Sequence, residues 1–542
     1  MVGAPGEFKP LVLDAAGRLY LHRYWEHESR LAATLRQMAA ETPAGPAPDL
    51  RLLGDGLRRY FPANETAAGQ PRLPDADPTG PDWQQVAAFA ALRRRLCVIS
   101  GGPGTGKTHT VVVLLALLLE QAGERPLRLA LAAPTGKAAA RLQESIQRLS
   151  QSLAIPETVR ARLPAEASTV HRLLGAIPGQ ADFRHRADNP LALDVLVVDE
   201  ASMVDLALMA RLFDALPPHA RVVLVGDKDQ LASVEAGAVL GDLCSGHRPE
   251  YSEGFAADYW AATGQSVPVA AAGPAPAPPL RDGIVQLQRN RRFTAGSGLL
   301  ALSQAVNDGD AKAALQHLRG GAGLAAVPVP PAAPAKVKAA LRDAVIAGYR
   351  EAITARDPAA ALAALGKFRI LAALRHGPHG VETLNALVTD ILEEAGLIQR
   401  SGPWFAGRPI LITENDHAQR LFNGDMGVAL PAPDAGEVAG GAGFRVHFQG
   451  ADGTLRDLAP ARLPRHETAF ALTVHKSQGS EFNRVLLILP GQDSPVLTRE
   501  LIYTGITRAR DEVTVWLEET VFRGAVGRQV RRASGLRDAL WG

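Results

Sequence analysis

The strongest constraint on the fold is a series of four short apolar runs in the first half of the chain. Each run is followed by Gly, Pro or an acidic residue, and helical patterns separate them; they read LCVIS (96–100), LRLALAA (127–133), VLVVDE (195–200) and RVVLVGD (221–227). Continuous apolar runs that alternate with helices are typical of a parallel sheet covered on both faces. The pattern predicts an α/β domain, to which we assign residues 82–283.

A second α/β domain is predicted in the C-terminal half, where the runs FRILAAL, VLLILP and EVTVW are of the same kind. Between the first two of these runs, residues 404–467 alternate around Gly and Asp turns, which is typical of a small antiparallel β module. We therefore assign residues 284–403 and 468–542 to the second α/β domain and treat the β module as an insertion in it.

Two further segments stand apart from this pattern. Residues 1–75 begin with two short β-type runs and continue with a helical pattern that puts Leu31, Leu35 and Met38 on one face. They predict a small separate N-terminal domain. Residues 246–282 include the Pro- and Ala-rich tract GQSVPVAAAGPAPAPPL, from which we expect a flexible surface insertion with no assigned function.

Composition limits the location and the partners of the chain. A net charge of +2 over 542 residues gives no overall field toward nucleic acid, so a DNA-binding surface would have to be a local groove. Two cysteines are too few for a disulfide framework and fit a reducing cytoplasm. The apolar run VVVLLALLL is too short to cross a bilayer, and MVGAPGEFKP lacks the features of a signal peptide, so we expect a cytoplasmic protein.

The most specific motif is GGPGTGKT, which follows the run LCVIS and opens a helical segment. It matches the phosphate-loop pattern G-x-x-x-x-G-K-[ST] in the strand-to-helix context that the pattern requires. We expect Lys107 to reach the β- and γ-phosphates of a nucleotide and Thr108 to hold Mg²⁺. The rest of the loop would surround the phosphates with backbone N–H groups; its members are Gly101, Gly102, Pro103, Gly104, Thr105 and Gly106.

Two later runs end in residues suited to phosphoryl transfer. VLVVDE ends in Asp199, expected to bind Mg²⁺, and Glu200, expected to activate the attacking water. VLVGDKDQL carries Asp227 and Gln230, and a neutral amide such as Gln230 can sense the γ-phosphate through a hydrogen bond. For the second motif an ordinary polar loop between strand and helix remains an alternative.

Motifs suited to DNA backbone contacts follow further strands. APTGKAAARL places Pro134, Thr135 and Lys137 after a strand, and TVHRLLG supplies Thr169 and His171. Hydroxyl groups, imidazole and helix N-termini are common partners of phosphodiesters. Either motif by itself also fits an ordinary helix cap.

Three more residues complete the nucleotide hypothesis. Phosphoryl transfer needs cationic charge, and Arg292 in LQRNRRF and Arg508 in YTGITRAR are the candidates. For the neighbouring Arg291 and Arg510 a solvated basic surface is a serious alternative. Gln84, upstream of the phosphate loop, is assigned to an adenine edge, although Gln85 is adjacent to it.

Taken in order, these motifs together with TVHKSQGSEF (473–482) resemble the motif series of superfamily-one helicases. The resemblance spans about residues 84–510 and is closest to the RecD family, because LVGDKDQLASVEAG and TVHKSQGSEF accompany the phosphate loop. The N-terminal stretch LVLDAAGRLYLHRYWEHESRLA is similar to the RecD (alpha) subunits of the RecBCD complex, exodeoxyribonuclease V.

The resemblance implies two RecA-like P-loop domains, an SH3-like β insertion at 404–467 and a β-hairpin that helps to split duplex DNA, expected near 183–191. It implies ATP and Mg²⁺ as cofactors, single-stranded tails and duplex ends as substrate, and 5′→3′ movement. RecB-like and RecC-like subunits would be partners in double-strand break repair. No nuclease constellation is evident in this chain, so nuclease activity would belong to the complex.

The resemblance also gives TVHKSQGSEF a double role in the second motor domain. Thr473 and His475 would touch the DNA backbone, while Gln478, Gly479 and Glu481 would lie toward the nucleotide. A polar loop at the entry of a strand is the alternative for this segment taken alone.

Two other functions remain open: a regulatory ATP- and DNA-binding assembly subunit with little unwinding of its own, and a stand-alone RecD-like helicase. The presence of Lys107, Asp199 and Glu200 together favours an enzyme, since a scaffold does not need catalytic groups.

Overall fold

The computed structural model describes the chain except for residues 44–46, 63–79, 178, 181, 272–277, 291–297, 401, 417, 433–442, 451–452, 531 and 533. Its contacts divide the chain into two compact units. The first comprises Met1–Pro134, Ala138–Ala295 and Arg531–Gly542, and the second comprises Thr135–Lys137 and Gly296–Val530.

The first unit is built on a six-stranded sheet in which every neighbouring pair is parallel. The strands of this unit are β1 (Val2–Gly3), β2 (Leu11–Leu13), β3 (Leu19–Leu21), β4 (Leu96–Gly101), β5 (Leu129–Ala133), β6 (Ser168–Thr169), β7 (Val195–Val198), β8 (Arg221–Gly226) and β9 (Ile284–Leu287). The sheet order is β6-β5-β7-β8-β4-β9, so β7, β8 and β4 are adjacent. Their carboxyl ends therefore lie at one edge of the sheet, where α/β folds bind ligands.

Helices cover both faces of this sheet, which confirms the predicted α/β fold. They are α1 (His22–Ala40), α2 (Leu50–Tyr60), α3 (Trp83–Arg93), α4 (Lys107–Ala122), α5 (Gly136–Ser152), α6 (Glu157–Arg160), α7 (Val170–Leu174), α8 (Leu206–Asp214), α9 (Val239–Cys244) and α10 (Glu253–Thr263). Alternate residues of β4 enter two different apolar clusters, Cys97 and Ile99 on one face and Leu96 and Val98 on the other. Helix α4 is buried at every position from 110 to 119, as expected for a helix that is apolar all round.

The N-terminal segment forms a three-stranded sheet, β1–β3, that leads into α1. Leu31, Leu35 and Met38 of α1 are buried, as their spacing predicts. They share an apolar cluster with Leu96 and Val98 of the central sheet. The segment therefore shares the core of the first unit, whereas the sequence suggested a separate domain.

Residues 251–263 correct the expectation of a flexible insertion across 246–282. Tyr251, Phe255 and Tyr259 are buried, and the Phe255 ring meets the Phe89 ring of α3 edge to face at 5.2 Å between centroids. These aromatic side chains belong to the apolar cluster that packs under α4, and burying such rings stabilises a core strongly. The insertion prediction is wrong for these residues because it rests on the Pro- and Ala-rich tract and does not consider the spacing of the aromatic residues that precede the tract. Residues 272–277 of the tract lie outside the described residues.

The second unit contains two five-stranded sheets. Its strands are β10 (Leu324–Pro328), β11 (Phe368–Ala372), β12 (Arg408–Ile412), β13 (Met426–Pro431), β14 (Phe444–Gln449), β15 (Leu455–Leu458), β16 (His466–Thr468), β17 (Ala471–Thr473), β18 (Phe482–Ile488) and β19 (Ala509–Leu517). The sheet β10-β19-β18-β11-β17 is parallel, as the apolar runs predict. The sheet β15-β14-β13-β12-β16 is antiparallel and has its own apolar cluster, which places a β module where the sequence predicts one; its likeness to an SH3 domain stays a prediction.

The last residues of the chain belong to the first unit and not to the second. The remaining helices are α11 (Gly298–Asp308), α12 (Ala311–Gly320), α13 (Pro334–Thr354), α14 (Pro358–Leu365), α15 (Val381–Glu394), α16 (Arg499–Ile506), α17 (Glu519–Gly527) and α18 (Leu536–Trp541). Residues Arg531–Gly542 group with the first unit, which differs from the sequence assignment of 468–542 to the second domain. In the part of the chain that is described, no helix has the length and apolarity to cross a membrane.

Helix α18 is held against α1 and α9 by apolar contacts and by a shared hydroxyl group. Leu536 and Leu540 enter the same cluster as α1. Ser534 Oγ lies 3.1 Å from Glu28 Oε2 and 2.9 Å from Asp242 Oδ2, while the Gly535 N–H donates to Glu28 Oε1 at 2.9 Å. A hydroxyl has one proton to donate, so it satisfies only one of two ionised carboxylates at a time.

Burial makes the two carboxyls of this cluster hold protons more strongly than free carboxyls, although the bond to Ser534 opposes this effect. Burial, reinforced by the charge of Glu28, raises the pKa of Asp242 to about 6 from an ordinary value of 3.8. Burial also raises the pKa of Glu28. A carboxyl with a raised pKa in the folded state favours folding when it is protonated, and this contribution is lost as pH rises through about 6.

We expect Asp242→Asn to raise the thermal midpoint of unfolding by a few degrees at pH 8 and to have a smaller effect at pH 5. The amide cannot ionise, so the variant keeps at high pH the neutral partner that the native chain has only at low pH. Thermal unfolding of both proteins at the two pH values measures the effect. Asp343→Asn, at an exposed carboxyl on α13 of the second unit, is the control. An Asp242→Asn effect of equal size at both pH values would contradict a role for the ionisation of Asp242.

Candidate nucleotide-binding site

The phosphate loop has the backbone that its glycines predict. Strand β4 ends at Gly101 and α4 begins at Lys107. Gly104 and Gly106 have φ of 81° and 84°, in the left-handed region that favours glycine. A Cβ at Gly106 would also lie 2.0 Å from Gln84 Nε2, so a larger residue has neither the conformation nor the space. The loop opens the N-terminus of a long helix, a structure that binds anions.

Hydrogen bonds within the loop hold Lys107 in place. Its Nζ donates to the carbonyl oxygens of Gly101 at 2.6 Å and Gly102 at 3.1 Å, and Thr105 Oγ1 donates to the Gly102 carbonyl at 2.8 Å. Burial raises the pKa values of Asp199 and Asp227, and the ammonium charge of Lys107 opposes that rise. Lys107 therefore interacts electrostatically with both carboxyls that the sequence analysis singled out.

Two buried carboxamides support the loop from outside. Gln84 Nε2 donates to the carbonyls of Thr105 and Gly106, each at 3.1 Å, and Asn290 Nδ2 donates to the Pro103 carbonyl at 2.8 Å. The structure thus places Gln84 against the loop, while its contact with an adenine edge stays a prediction. Sequence reasoning missed Asn290; the only signal was its position inside LQRNRRF, where attention went to the arginines.

The acidic pair follows β7 as predicted. Desolvation, together with the charge of Glu200, raises the pKa of Asp199 to about 6. The Glu200 N–H donates to Asp199 Oδ1 at 2.9 Å, and Glu200 has φ of 51°. Left-handed backbone is uncommon for a residue other than glycine and is found often at functional sites. The backbone therefore turns at Glu200, directly after Asp199.

The loop after β8 contains a second buried polar pair. Gln230 Nε2 donates to Asp227 Oδ2 at 2.9 Å, and the Asp229 N–H donates to Asp227 Oδ1 at 3.1 Å. Burial raises the pKa of Asp227, an effect that Lys107 and these hydrogen bonds oppose. Lys107, Asp227 and Gln230 therefore form one polar network.

The order of β7, β8 and β4 brings Lys107, Asp199 and Gln230 to one sheet edge. Thr108 lies in the first turn of α4, and its hydroxyl and the Asp199 carboxylate are the oxygen ligands that Mg²⁺ prefers. Within the described ranges no group of three or more His, Cys, Asp and Glu residues is assembled for a metal. The donor set fits an ion held by few protein ligands, as Mg²⁺ usually is beside nucleotide phosphates.

The predicted DNA-contact motifs of the first half lie at strand ends. Pro134 and Thr135 follow β5, and Lys137 lies at the start of α5. Thr169 Oγ1 accepts from the Arg172 N–H at 3.1 Å and caps α7, and the His171 ring lies 5.9 Å from the Phe183 ring. The cap that the sequence analysis kept as an alternative is therefore present at Thr169, and contacts with DNA stay predictions.

A tight antiparallel turn occupies the position predicted for a β-hairpin near 183–191. Ala176 bridges Phe183, and Arg186 and Asn189 exchange two backbone hydrogen bonds of 3.1 and 2.9 Å. Asn189 Nδ2 also donates to the Arg184 carbonyl at 2.9 Å. The turn is a small structured projection, and its action on duplex DNA stays a prediction.

In the second unit, TVHKSQGSEF links β17 to β18. Thr473 Oγ1 accepts from the Lys476 N–H at 3.2 Å, and His475 begins a single 3₁₀ turn. Gly479 follows Gln478 with φ of 67°, and Glu481 Oε2 accepts from Arg510 Nε at 3.1 Å. The pair with Glu481 shows that Arg510 is an ion-pair partner on an exposed surface, in line with the alternative for this arginine.

Arg508 is buried in the same unit. It donates to the Thr504 carbonyl at 3.1 Å and to the Ser480 carbonyl at 3.2 Å, so it ties α16 to TVHKSQGSEF. A guanidinium that is buried and bonded to two carbonyls has a defined position, unlike an arginine on a solvated basic surface. Arg292, the other predicted cation, lies outside the described residues, as does Arg291.

A phosphate loop that shares its sheet edge with an acidic pair and a strand-end glutamine defines a P-loop nucleoside triphosphatase. Comparison with protein families refines this class. Residues 84–236 match the AAA domain, and residues 468–516 match the UvrD-like helicase C-terminal domain. Both matches fit a superfamily-one helicase.

Relatives that align with nearly the whole chain identify the family within this class. The chain is 42% identical over 539 residues to the RecBCD enzyme subunit RecD of Mycobacterium tuberculosis, an alignment that covers 96% of this chain and 80% of the relative. It is 36% identical over 558 residues to the same subunit of Haemophilus influenzae, with 97% and 80% covered. The ATP-dependent RecD2 DNA helicase of Deinococcus radiodurans is 33% identical over 91% of this chain but only 54% of that relative. The chain belongs to the RecD family.

We expect Asn290→Ala to raise the dissociation constant for a fluorescent ATP analogue by roughly tenfold, since it removes a hydrogen bond worth about 1–2 kcal/mol from the phosphate loop. Fluorescence titration of the purified chain measures the change. Asn385→Ala in the second unit, which removes a buried carboxamide bonded to the Ala471 backbone, is the matched control. Equal affinities for the native chain and Asn290→Ala would show that Asn290 does not support the loop.

Proposed function

We propose that this chain is an ATP-dependent DNA helicase that moves 5′→3′ as the RecD subunit of a RecBCD-type complex, acting on duplex ends in double-strand break repair. The observation that carries the proposal is the polar site at the sheet edge, in a chain that aligns with RecD subunits over nearly its whole length. A subunit that only assembled the complex would not require Lys107, Asp199 and Gln230 to share one site.

In this proposal the first unit binds and hydrolyses ATP. Residues 101–108 surround the phosphates with backbone N–H groups, and the Lys107 ammonium neutralises the β- and γ-phosphates. Glu200, on its left-handed turn, accepts a proton from the attacking water. Thr108 and Asp199 would hold Mg²⁺, which neutralises charge on the phosphates when it is bound.

The second unit contributes residues whose roles come from the motif series. Thr473 and His475 are proposed to bind the DNA backbone, together with Thr135, Lys137, Thr169 and His171. Gln478, Gly479 and Glu481 are proposed to respond to the nucleotide. Arg292 and Arg508 are proposed to supply cationic charge during phosphoryl transfer. Movement along DNA would follow from the alternation of ATP-bound and ATP-free states.

We expect the purified chain, with ATP and Mg²⁺, to separate a duplex with a 5′ single-stranded tail and not one with a 3′ tail. Lys107→Gln should reduce ATP hydrolysis by at least about 100-fold, because it removes the cation of the site. Lys338→Gln, which removes an ammonium paired with Glu394 in the second unit and outside all of these motifs, should keep both activities.

A strand-separation assay with the two tailed duplexes distinguishes the alternatives. Separation from the 3′ tail alone would refute the proposed polarity. ATP hydrolysis stimulated by DNA without separation of either duplex would favour the regulatory subunit, or a motor that needs its partners, and the same assay with RecB-like and RecC-like chains added tells these two apart.

The N-terminal sheet is proposed to bind a partner subunit. Its strands and the adjoining loop expose an unusual number of large apolar side chains: Met1, Val2, Phe8, Leu13, Leu19 and Leu21. Phe8 is 93% exposed and Leu19 59% exposed. Clustered exposed apolar side chains commonly mark protein interfaces.

We expect the double variant Phe8→Asp/Leu19→Asp to reduce co-purification with RecB-like and RecC-like chains by more than about tenfold, since two charges would have to be buried in the interface. Trp260→Asp, at an exposed aromatic residue on α10, is the control and should leave co-purification unchanged. Size-exclusion chromatography measures the complex. If the native chain forms no complex with either partner, the subunit assignment fails.

A further inference from the structure

The loop that follows Gln230 has an irregular backbone held mainly through its carbonyl groups. Residues 231–238 form no helix or strand before α9 begins. The carbonyl of Ala236 accepts from the Leu206 N–H at 3.0 Å, and Gly237 has φ of 100°. Without a ladder of regular hydrogen bonds, the path of such a loop depends on the groups that bind its carbonyls.

Arg532 binds three of these carbonyls with one guanidinium group. Its Nη1 donates to the carbonyls of Glu235 and Gly237, the second at 2.8 Å, and its Nη2 donates to the carbonyl of Ser233. The guanidinium is planar and its donors have fixed directions, so three simultaneous bonds define the positions of all three carbonyls. Ser233 Oγ lies 3.1 Å from the Glu235 carbonyl oxygen and 3.3 Å from that of Gly237, and it can donate its one proton to either.

The position of Arg532 is itself fixed by the C-terminal segment. Two residues later, Ser534 and Gly535 bind Glu28 of α1, and Leu536 and Leu540 are buried beside α1. Arg532 and residues 534–541, here called the C-terminal clamp, are therefore anchored on α1 and support the loop 231–238. All of these contacts lie within the first unit.

The clamped loop is joined directly to the sensing glutamine. Only Leu231 and Ala232 separate Gln230 from Ser233, and Leu231 is buried. The three Cα steps from Gln230 to Ser233 span at most about 11 Å, so the position of Ser233 restricts the positions open to the Gln230 backbone. Gln230 is 6% exposed and is bonded to Asp227, in a network where small displacements break hydrogen bonds.

We propose that Arg532 is a positioning residue for ATP hydrolysis: through the loop 231–238 it keeps Gln230 in place beside Asp227. It does not touch the nucleotide; it acts through Gln230. The inference rests on the proposed function, since it takes Gln230 as the group that senses the γ-phosphate. It also gives the distant C-terminal segment a role at the nucleotide site.

Steady-state ATP hydrolysis by the full chain with saturating single-stranded DNA tests the proposal. Arg532→Ala should lower kcat roughly tenfold while the KM for ATP changes less than about twofold, because misplacing Gln230 affects the reaction and leaves the phosphate loop intact. Arg532→Lys keeps the charge but not the planar set of donors, so its kcat should lie between the two. In a Gln230→Ala background, Arg532→Ala should cause no further loss.

The matched control is Arg162→Ala. Arg162 also belongs to the first unit and donates to two backbone carbonyls, those of Gly123 at 2.5 Å and Arg125 at 2.7 Å, away from the Gln230 loop. Its loss should leave kcat unchanged. Amide hydrogen exchange provides a readout without hydrolysis: Arg532→Ala should speed exchange in 231–238 and leave 101–108 unchanged, and Arg162→Ala should alter neither.

The outcomes separate the clamp from the proposed function. An unchanged kcat in Arg532→Ala, an equal loss in Arg162→Ala, or additive losses with Gln230→Ala would each overturn the positioning role. Full activity in Gln230→Ala would overturn it too. If the native chain hydrolyses no ATP, the proposed function fails. The exchange measurement then tests by itself whether Arg532 holds the loop, and unchanged exchange in 231–238 of Arg532→Ala overturns that role.

Discussion

One ammonium group near two desolvated carboxyls is the interaction on which the first unit depends. Burial raises the pKa values of Asp199 and Asp227, and the ammonium charge of Lys107 opposes this rise. Charges of this kind interact strongly only where protein excludes water. The fold supplies that environment, because three adjacent parallel strands end at the same edge and helices cover both faces of the sheet. Helix α4, which is buried from 110 to 119, holds the ammonium at its first residue.

Neutral carboxamides donate further hydrogen bonds around this charge. Gln84 and Asn290 bind carbonyls of the phosphate loop, and Gln230 binds Asp227. A lysine or arginine in any of these places would add a second cation next to Lys107 and change the ionisation of both carboxyls. Amide donors hold the backbone without that effect. The site thus combines one strong charge with several neutral donors.

Much of this arrangement has a local signature in the sequence. Apolar runs mark the parallel strands, glycine spacing marks the phosphate loop, and acidic residues after a run mark Asp199 and Glu200, since each depends on neighbours within a few residues. Other features have no such signature. The burial of Tyr251 and Phe255 depends on α3, and the hydrogen bond of Asn290 joins it to Pro103, far earlier in the chain. The return of the C-terminus to α1 depends on a separation of 506 residues between Glu28 and Ser534. Periodicity within a short window does not report contacts of this range.

The packing of α18 against α1 affects the order in which the first unit can fold during synthesis. Helix α1 is synthesised before the second unit, whereas α18, the helix that covers part of its apolar face, is synthesised after it. While the ribosome adds residues 296–530, the first unit lacks this cover and Glu28 lacks its hydroxyl partner. Long-range closure of this kind is late and slow, and the surface left open until then favours aggregation. A product that terminates before residue 531 would keep that surface exposed permanently, so chaperones and proteases could recognise such truncated chains.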